Sequence, residues 1–450
     1  MADRSGIAAF RFGYGLPLAG SSEPSDMVAA LAGPDLAAAR WPSVTMADVL
    51  PIAEAYRVAK KAGKSAMEGD KAALRRVVRQ ADALALRAAK ATVARAVGSD
   101  DPLRERLVQF WADHFTVTPK NRVERSLPGA LIEDAIRPNL MRPFAVMLQA
   151  VVTHPAMLIY LNQDASFGPG SKRGQRRDKG LNENLARELL ELHTLGVSAA
   201  YSQGDVRQLA ELLTGLTLEA GKGFVFDPGR AEPGTETVLG VTYAGAGVTP
   251  IFRALDDLAV RPETARHLAG KLAVHFVADA PEAGLVGALE KAWNGSGGDL
   301  AVVTEALLGN SVAWAVQTGK ARQPFDFVVA SLRALEVSAD VIHGAEDKAF
   351  RRMILDPLAD MGQPLWQAPG PDGWPEAAED WITPQGLAAR ISWAIEVPER
   401  MVKPLPDPRV FVTTALGARA SERLVWAVSA AAEVREGVGL TLAAPEFNRR

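Results

Sequence analysis

From Glu68 to Val97 the chain runs without a proline and, after Gly69, without a glycine, in a stretch rich in alanine. So long a run is accommodated only as a helix. Shorter amphipathic runs of helical period flank it, at Ala47 to Ala62, Asp101 to Phe115, Ser202 to Gly215, Asp257 to Phe276, Pro324 to Leu335 and Ser421 to Val434. Gly and Pro punctuate them. The expected fold is mainly α, a multi-helix array of orthogonal or bundle-like packing. Strand patterning is confined to Gly223–Asp227 and Glu236–Tyr243, separated by a Pro/Gly turn. This reads as one small inserted β-hairpin, a flap over 222–243. No linker or repeat divides the chain, so we expect one domain over 1–450 with a loosely held tail at 443–450.

Composition narrows the chemistry. Hydrophobic residues make up 48% and charged residues 23%, enough to bury a large core. There is no cysteine, which excludes disulfides, thiolate metal sites and a cysteine nucleophile. A net charge of -3 argues against bulk electrostatic binding of nucleic acid. Arg75, Arg76, Arg79, Arg87, Lys90 and Arg95 give the long helix a basic face, but no aromatics interleave with them, so a solvated face is expected. No stretch has the length of a signal peptide's apolar core or a membrane span, and the expected location is cytoplasmic.

The candidate chemistry centres on Asn182 to Gly196. Asn182 can cap a helix start and Gly196 can stop one. One helical face carries Leu185, Leu189, Leu190 and His193; the other carries Glu183, Arg187, Glu188 and Glu191. Glu188 and Glu191, three apart, are the acid/base candidates. Glu183 and Arg187 would position them as an ion pair. Glu188, Glu191 and His193 are also the metal-ligand candidates, although His193 points to the packing face and no HExxH is present. Immediately upstream, Gly168 to Gly180 is a flexible basic loop. Its Lys172, Arg173, Arg176 and Arg177, with Asn182 at the helix start, could hold an anion.

Three further features leave two readings each. His114, on the aromatic face of the 101–115 helix, is either a core histidine bonded to backbone or a ligand or base. His267, Lys271 and His275 share a stripe that either lines an anion site or borders the packed face. The Pro/Gly stretch Met361 to Pro375 is a loop, and its Trp366 and Trp374 either stack on a ligand or plug the core.

The segments Trp111-Ala112-Asp113-His114-Phe115, Leu181 to Val197 and Met361 to Pro375, with the Arg11-Phe12-Gly13-Tyr14-Gly15 turn, resemble a bacterial family known as domain of unknown function 1800. The resemblance covers most of the chain. It implies a mostly helical protein without an established activity. Members are often encoded beside a protein similar to the alkaline-phosphatase and sulfatase group, which makes such a protein an expected partner and an anionic ligand an expected substrate. This chain departs from the family at Arg230 to Thr237, where relatives tend to carry a His-Asp pair followed by a Lys.

The expected function is therefore an enzyme with a cleft beside helix 182–195, binding a phosphate-, sulfate- or carboxylate-bearing ligand, including a saccharide. No cofactor is named by any motif. The alternative is a non-catalytic scaffold in which the Glu/Arg cluster is a structural ion-pair network.

Overall fold

Helix starts follow local chemistry. Asp101 Oδ1 accepts the Arg104 amide at 3.2 Å and Pro102 occupies the first turn of Pro102–His114. Ser202 and Asp205 form the reciprocal cap that begins Gln203–Leu212. The computed structural model describes residues 4–62, 68–177, 180–316 and 319–450. We label α1 Met46–Ala62, α2 Glu68–Gly98, α3 Pro102–His114, α4 Asn184–Glu188, α5 Gln203–Leu212, α6 Pro262–Phe276 and α7 Pro324–Ala334. The chain is mainly helical, with two small antiparallel two-stranded sheets among the described residues. No helix among the described residues is long and apolar enough to cross a membrane.

The apolar faces converge on two cores. The first gathers Phe12, Trp111, Phe144 and Trp293 with the helices between residues 102 and 313. The second gathers Tyr14, α7 and the closing helices Pro384–Glu396, Pro408–Leu416 and Val434–Ala443. Each large side chain fully buried in either core contributes about 1.5–3 kcal/mol. Helix α2 serves both, with Ala88 in the first core and Leu86, Ala89 and Val93 in the second. Its basic face is not simply solvated. Arg87 pairs with Asp48 at 2.6 Å, Lys90 with Asp347 at 2.7 Å and the buried Arg95 with Glu133 at 2.5 Å.

Several local expectations give way. Two hairpins replace one: β1 Leu216–Glu219 pairs with β2 Gly223–Phe226, and β3 Glu236–Val238 pairs with β4 Val241–Tyr243. The second turns at Leu239-Gly240, both at positive φ, which matches the twist of paired strands. Thr237 N and Leu239 N donate to Gln208 and Asp205 of α5, so this hairpin is fastened to a helix. The expected flexible loop contains a helical turn, Lys172–Arg177, and is latched by Glu232, whose Oε2 accepts the Gly170 amide at 2.8 Å. Asp178, Lys179 and the side chain of Arg177 lie outside the described residues. The end of the chain is packed, not loose. Phe447, Asn448 and Arg450 are buried, and Arg450 N donates to Lys320 O at 2.9 Å. Phe447 supplies the apolar anchor that a loose tail would lack, with the Phe327 ring 6.0 Å away.

Candidate functional site

The helix expected over Asn182 to Gly196 is shorter than its pattern. Regular α geometry holds only over α4, after which Leu189–His193 winds as a π-helix. Such a wide turn inside a helix is a recurrent mark of functional sites. It ends at His193, and Gly196 follows three residues on, with φ +88, where an added Cβ would lie 2.9 Å from His267 Nδ1. Gly196 therefore lets α6 come against the end of the π turn. His267 Nε2 lies 3.1 Å from Leu192 O and His114 Nε2 lies 3.2 Å from His193 O. A carbonyl only accepts, so both Nε2 atoms carry hydrogen.

Three histidines thus gather where α3, the π turn and α6 meet. Burial lowers all three, reinforced by the Lys271 charge: His114 falls well below the ordinary imidazole value, His193 to about 3, and His267 less strongly. They are neutral at physiological pH. His114 Nδ1 and His193 Nδ1 are buried without hydrogen-bond partners.

A cavity of about 360 Å³ opens beside them. α3 contributes Phe110, Asp113 and His114; α6 contributes His267 and Lys271; the Pro/Gly loop closes it with Asp372, Trp374 and Glu376. The loop is pinned twice near its C-terminal end. Trp374 N donates to Asp113 Oδ1 at 2.9 Å. Gly373, at φ +85, has no room for a side chain, since a Cβ would meet Asp113 O and Oδ2 at 2.7 Å. Two residues after Trp374, Glu376 Oε1 lies 2.5 Å from His275 Nδ1, and its Oε2 lies 2.7 Å from Lys320 Nζ. Arg106 Nη2 sits 3.3 Å from His275 Nε2, so that ring nitrogen accepts and Nδ1 donates to Glu376. Burial lowers His275 to about 4, consistent with this neutral tautomer. Burial works to raise Glu376, but His275, Lys320 and Arg450 outweigh it and hold it well below the usual carboxylate range.

Lys271 is the exception in this network. It lines the cavity and has neither a hydrogen bond nor an ion pair among the described residues. Burial lowers its ammonium, opposed by the charges of Asp113, Glu376 and Asp372. Asp113 is pushed up to about 7, chiefly by burial, against the pull of the Trp374 amide and Lys271. Glu188 is also pushed up to about 7, by burial and then by Glu191 and Asp372, against Arg187. Both carboxyls feel the charge of Asp372, which lines the cavity, and values near neutrality suit general acid–base chemistry.

The residues singled out from sequence divide into groups. His114 and Trp374 line the cavity, and Glu188 stands close enough to feel Asp372. Trp374 is half-buried, with its ring 5.8 Å from Trp381. Trp366 lines a narrower adjoining space of about 70 Å³ that shares Asp113, Trp374 and Glu376. Its backbone is left-handed, φ +57, which costs a residue with a side chain about 1–2 kcal/mol. Arg187 is engaged within its helix by Glu191 at 3.2 Å and Glu183 at 3.5 Å, and by Gln203 at 3.2 Å. Asn182 spends its side chain on Leu161 O, Asn162 O and the Asn184 amide. Lys172, Arg173 and Arg176 are exposed on the short helix, with Arg173 paired to Asp227. His193 is buried on the packing face. Among the described residues no group of three or more His, Asp or Glu side chains is placed to hold a metal ion.

Sequence reasoning passed over Asp113, Asp372 and Glu376. Asp113 stood in the quoted Trp-Ala-Asp-His-Phe segment, and its adjacency to His114 was the available signal. In the stretch Arg230 to Thr237, Arg230 Nη1 donates to Asp164 O at 2.5 Å and Glu232 N to Thr214 Oγ1 at 2.7 Å. In this chain those residues tie the 168–177 segment to the hairpins.

A family model described as "Protein of unknown function (DUF1800)" matches residues 18–449. No curated protein and no solved structure matches the chain.

Proposed function

The chain belongs to the DUF1800 family, and from its cavity we propose an enzyme that binds a small anion-bearing ligand at Lys271 and moves protons with Asp113 and Glu188. The single observation that carries this reading is the Lys271 ammonium, which lines a cavity without a hydrogen bond or ion pair among the described residues. A desolvated cation kept free of protein acceptors is stabilised when a ligand supplies the opposite charge. The neutral histidines leave Lys271 as the cavity's cationic contact. Trp374 offers an apolar wall, suited to the face of a sugar ring. Asp113 and Glu188, each half protonated near pH 7, can give a proton to a leaving oxygen or take one from a nucleophile.

The carboxylates of α4 and its π turn do not act as one group on this view. Arg187 bound by Glu183, Glu191 and Gln203 favours a structural role for that ladder, as a scaffold reading would have it. Glu188 has no such partner among the described residues, and it feels the charge of Asp372 in the cavity wall.

Thermal stabilisation by inorganic phosphate, sulfate and glucose 6-phosphate tests the reading. A ligand present at 100 times its Kd adds about 2.7 kcal/mol. We expect at least one of the three to stabilise the wild-type protein, Lys271→Arg to retain part of the effect and Lys271→Met to lose it. Equal stabilisation of the wild type and Lys271→Met would refute it.

A further inference from the structure

A second cavity, of about 200 Å³, lies against Trp366. Helix α2 forms one side with Leu86; Leu355 and Pro364 complete an apolar wall with the indole. Its volume equals roughly seven waters' share at ~30 Å³ each, room for one ring and a short side arm. Two guanidinium groups line it, Arg125 and Arg351. Arg351 is half-buried and makes neither a hydrogen bond nor an ion pair among the described residues. Arg125 has only Asp82, at 3.9 Å. Asp356 lines the same cavity beyond ion-pair distance of Arg351.

We infer that this cavity is a second binding site, for a small apolar monocarboxylate whose ring lies on Trp366 and whose carboxylate meets Arg351. A guanidinium presents a planar fork of donors that matches a carboxylate. Two arginines against one aspartate leave a single net positive charge among these lining residues, which suits a monoanion better than a dianion. The apolar wall selects a ring over a polar chain. Trp366 stands between this site and the main cavity, since it also lines the narrow space beside Asp113 and Trp374. Its indole Nε1 is buried without an acceptor, and its backbone is left-handed. A side chain so poorly satisfied is readily biased by an occupant on one face.

The test uses 3-phenylpropionate and its uncharged counterpart 3-phenylpropanol, measured by ligand-observed NMR on the full chain. We expect the acid to bind and the alcohol to bind at least tenfold more weakly. Arg351→Met should weaken the acid about tenfold, and Ala85→Phe, which fills the cavity, should block it. Lys271→Met should leave it unchanged. Circular dichroism confirms that each variant is folded, and the two independent variants guard against one that is not. Equal affinity for acid and alcohol, wild-type affinity in Arg351→Met, or no binding of the acid at millimolar concentration would each overturn the inference. Loss of acid binding in Lys271→Met would do so too, by moving the probe to the main cavity. The site stands independently of the reading at Lys271: failure of phosphate there leaves the phenylpropionate result intact.

Discussion

Replacing Asp113 by Asn should stabilise the protein, and by an amount that depends on pH. The carboxyl's ordinary value is 3.8 and the fold pushes it up to about 7, chiefly through burial. At ~1.36 kcal/mol per pH unit that gap amounts to about 4 kcal/mol. The sign follows from proton binding. Between these two values the folded chain keeps the proton and the unfolded chain loses it, so stability falls as pH rises through this window and levels off above about 7. Asn carries no such penalty, and its side-chain oxygen can still accept the Trp374 amide now held at 2.9 Å. Unfolding entropy of roughly 2.1 cal/mol/K per residue, over 450 residues, gives roughly 0.9 kcal/mol/K. The expected rise in Tm is therefore about 4 °C at pH 8, shrinking towards zero at pH 4. Scanning calorimetry of both proteins at pH 4, 6 and 8 measures it. A pH-independent difference would show that Asp113 keeps its ordinary value, and an Asn variant that melts lower at pH 8 would show that the fold stabilises the carboxylate; either would remove it from the proton-carrying role.

Glu188→Gln should behave in the same direction, since Glu188 is also raised to about 7, but with a smaller effect because its half-exposed carboxyl is screened by solvent; Tm against pH for the single variant decides it, and a melting point lower than wild type at pH 8 counts against the assignment. Gly196→Ala should cost about 1–3 kcal/mol. It forces a side chain into a left-handed residue 2.9 Å from His267 Nδ1, and a Tm equal to wild type would contradict that geometry.

The helical class was legible because it rests on local periodicity. The caps at Asp101 and Ser202 were legible for the same reason, as short-range side-chain-to-amide bonds. Strand pairing was less so. Gly223–Phe226 pairs back to Leu216–Glu219, a stretch that falls between the expected helix ending at Gly215 and the expected strand from Gly223. The basic face of α2 looked solvated because its acidic partners, Asp48, Glu133 and Asp347, lie elsewhere along the chain. The short basic helix after Gly170 looked flexible because its latch, Glu232, is distant in sequence.

The proposed centre of function shifts toward α3 and α6 for a similar reason. Asn182 to Gly196 drew notice as a dense cluster of charge, and the fold uses Arg187 and Glu183 largely to hold its own helix and α5 together. By itself the sequence determined the mainly helical class, the helix starts, the loop nature of 361–375 and the burial of His193. These follow from sterics and hydrogen bonding within a few residues. Tertiary packing alone brings Asp113, Lys271 and Trp374 into one cavity, leaves Lys271 without a hydrogen bond or ion pair among the described residues, and pushes Asp113 and Glu188 up to about 7. Desolvation and Coulomb interactions depend on what surrounds a group in space, and α3, α6 and the tryptophan loop meet only after the two cores have packed.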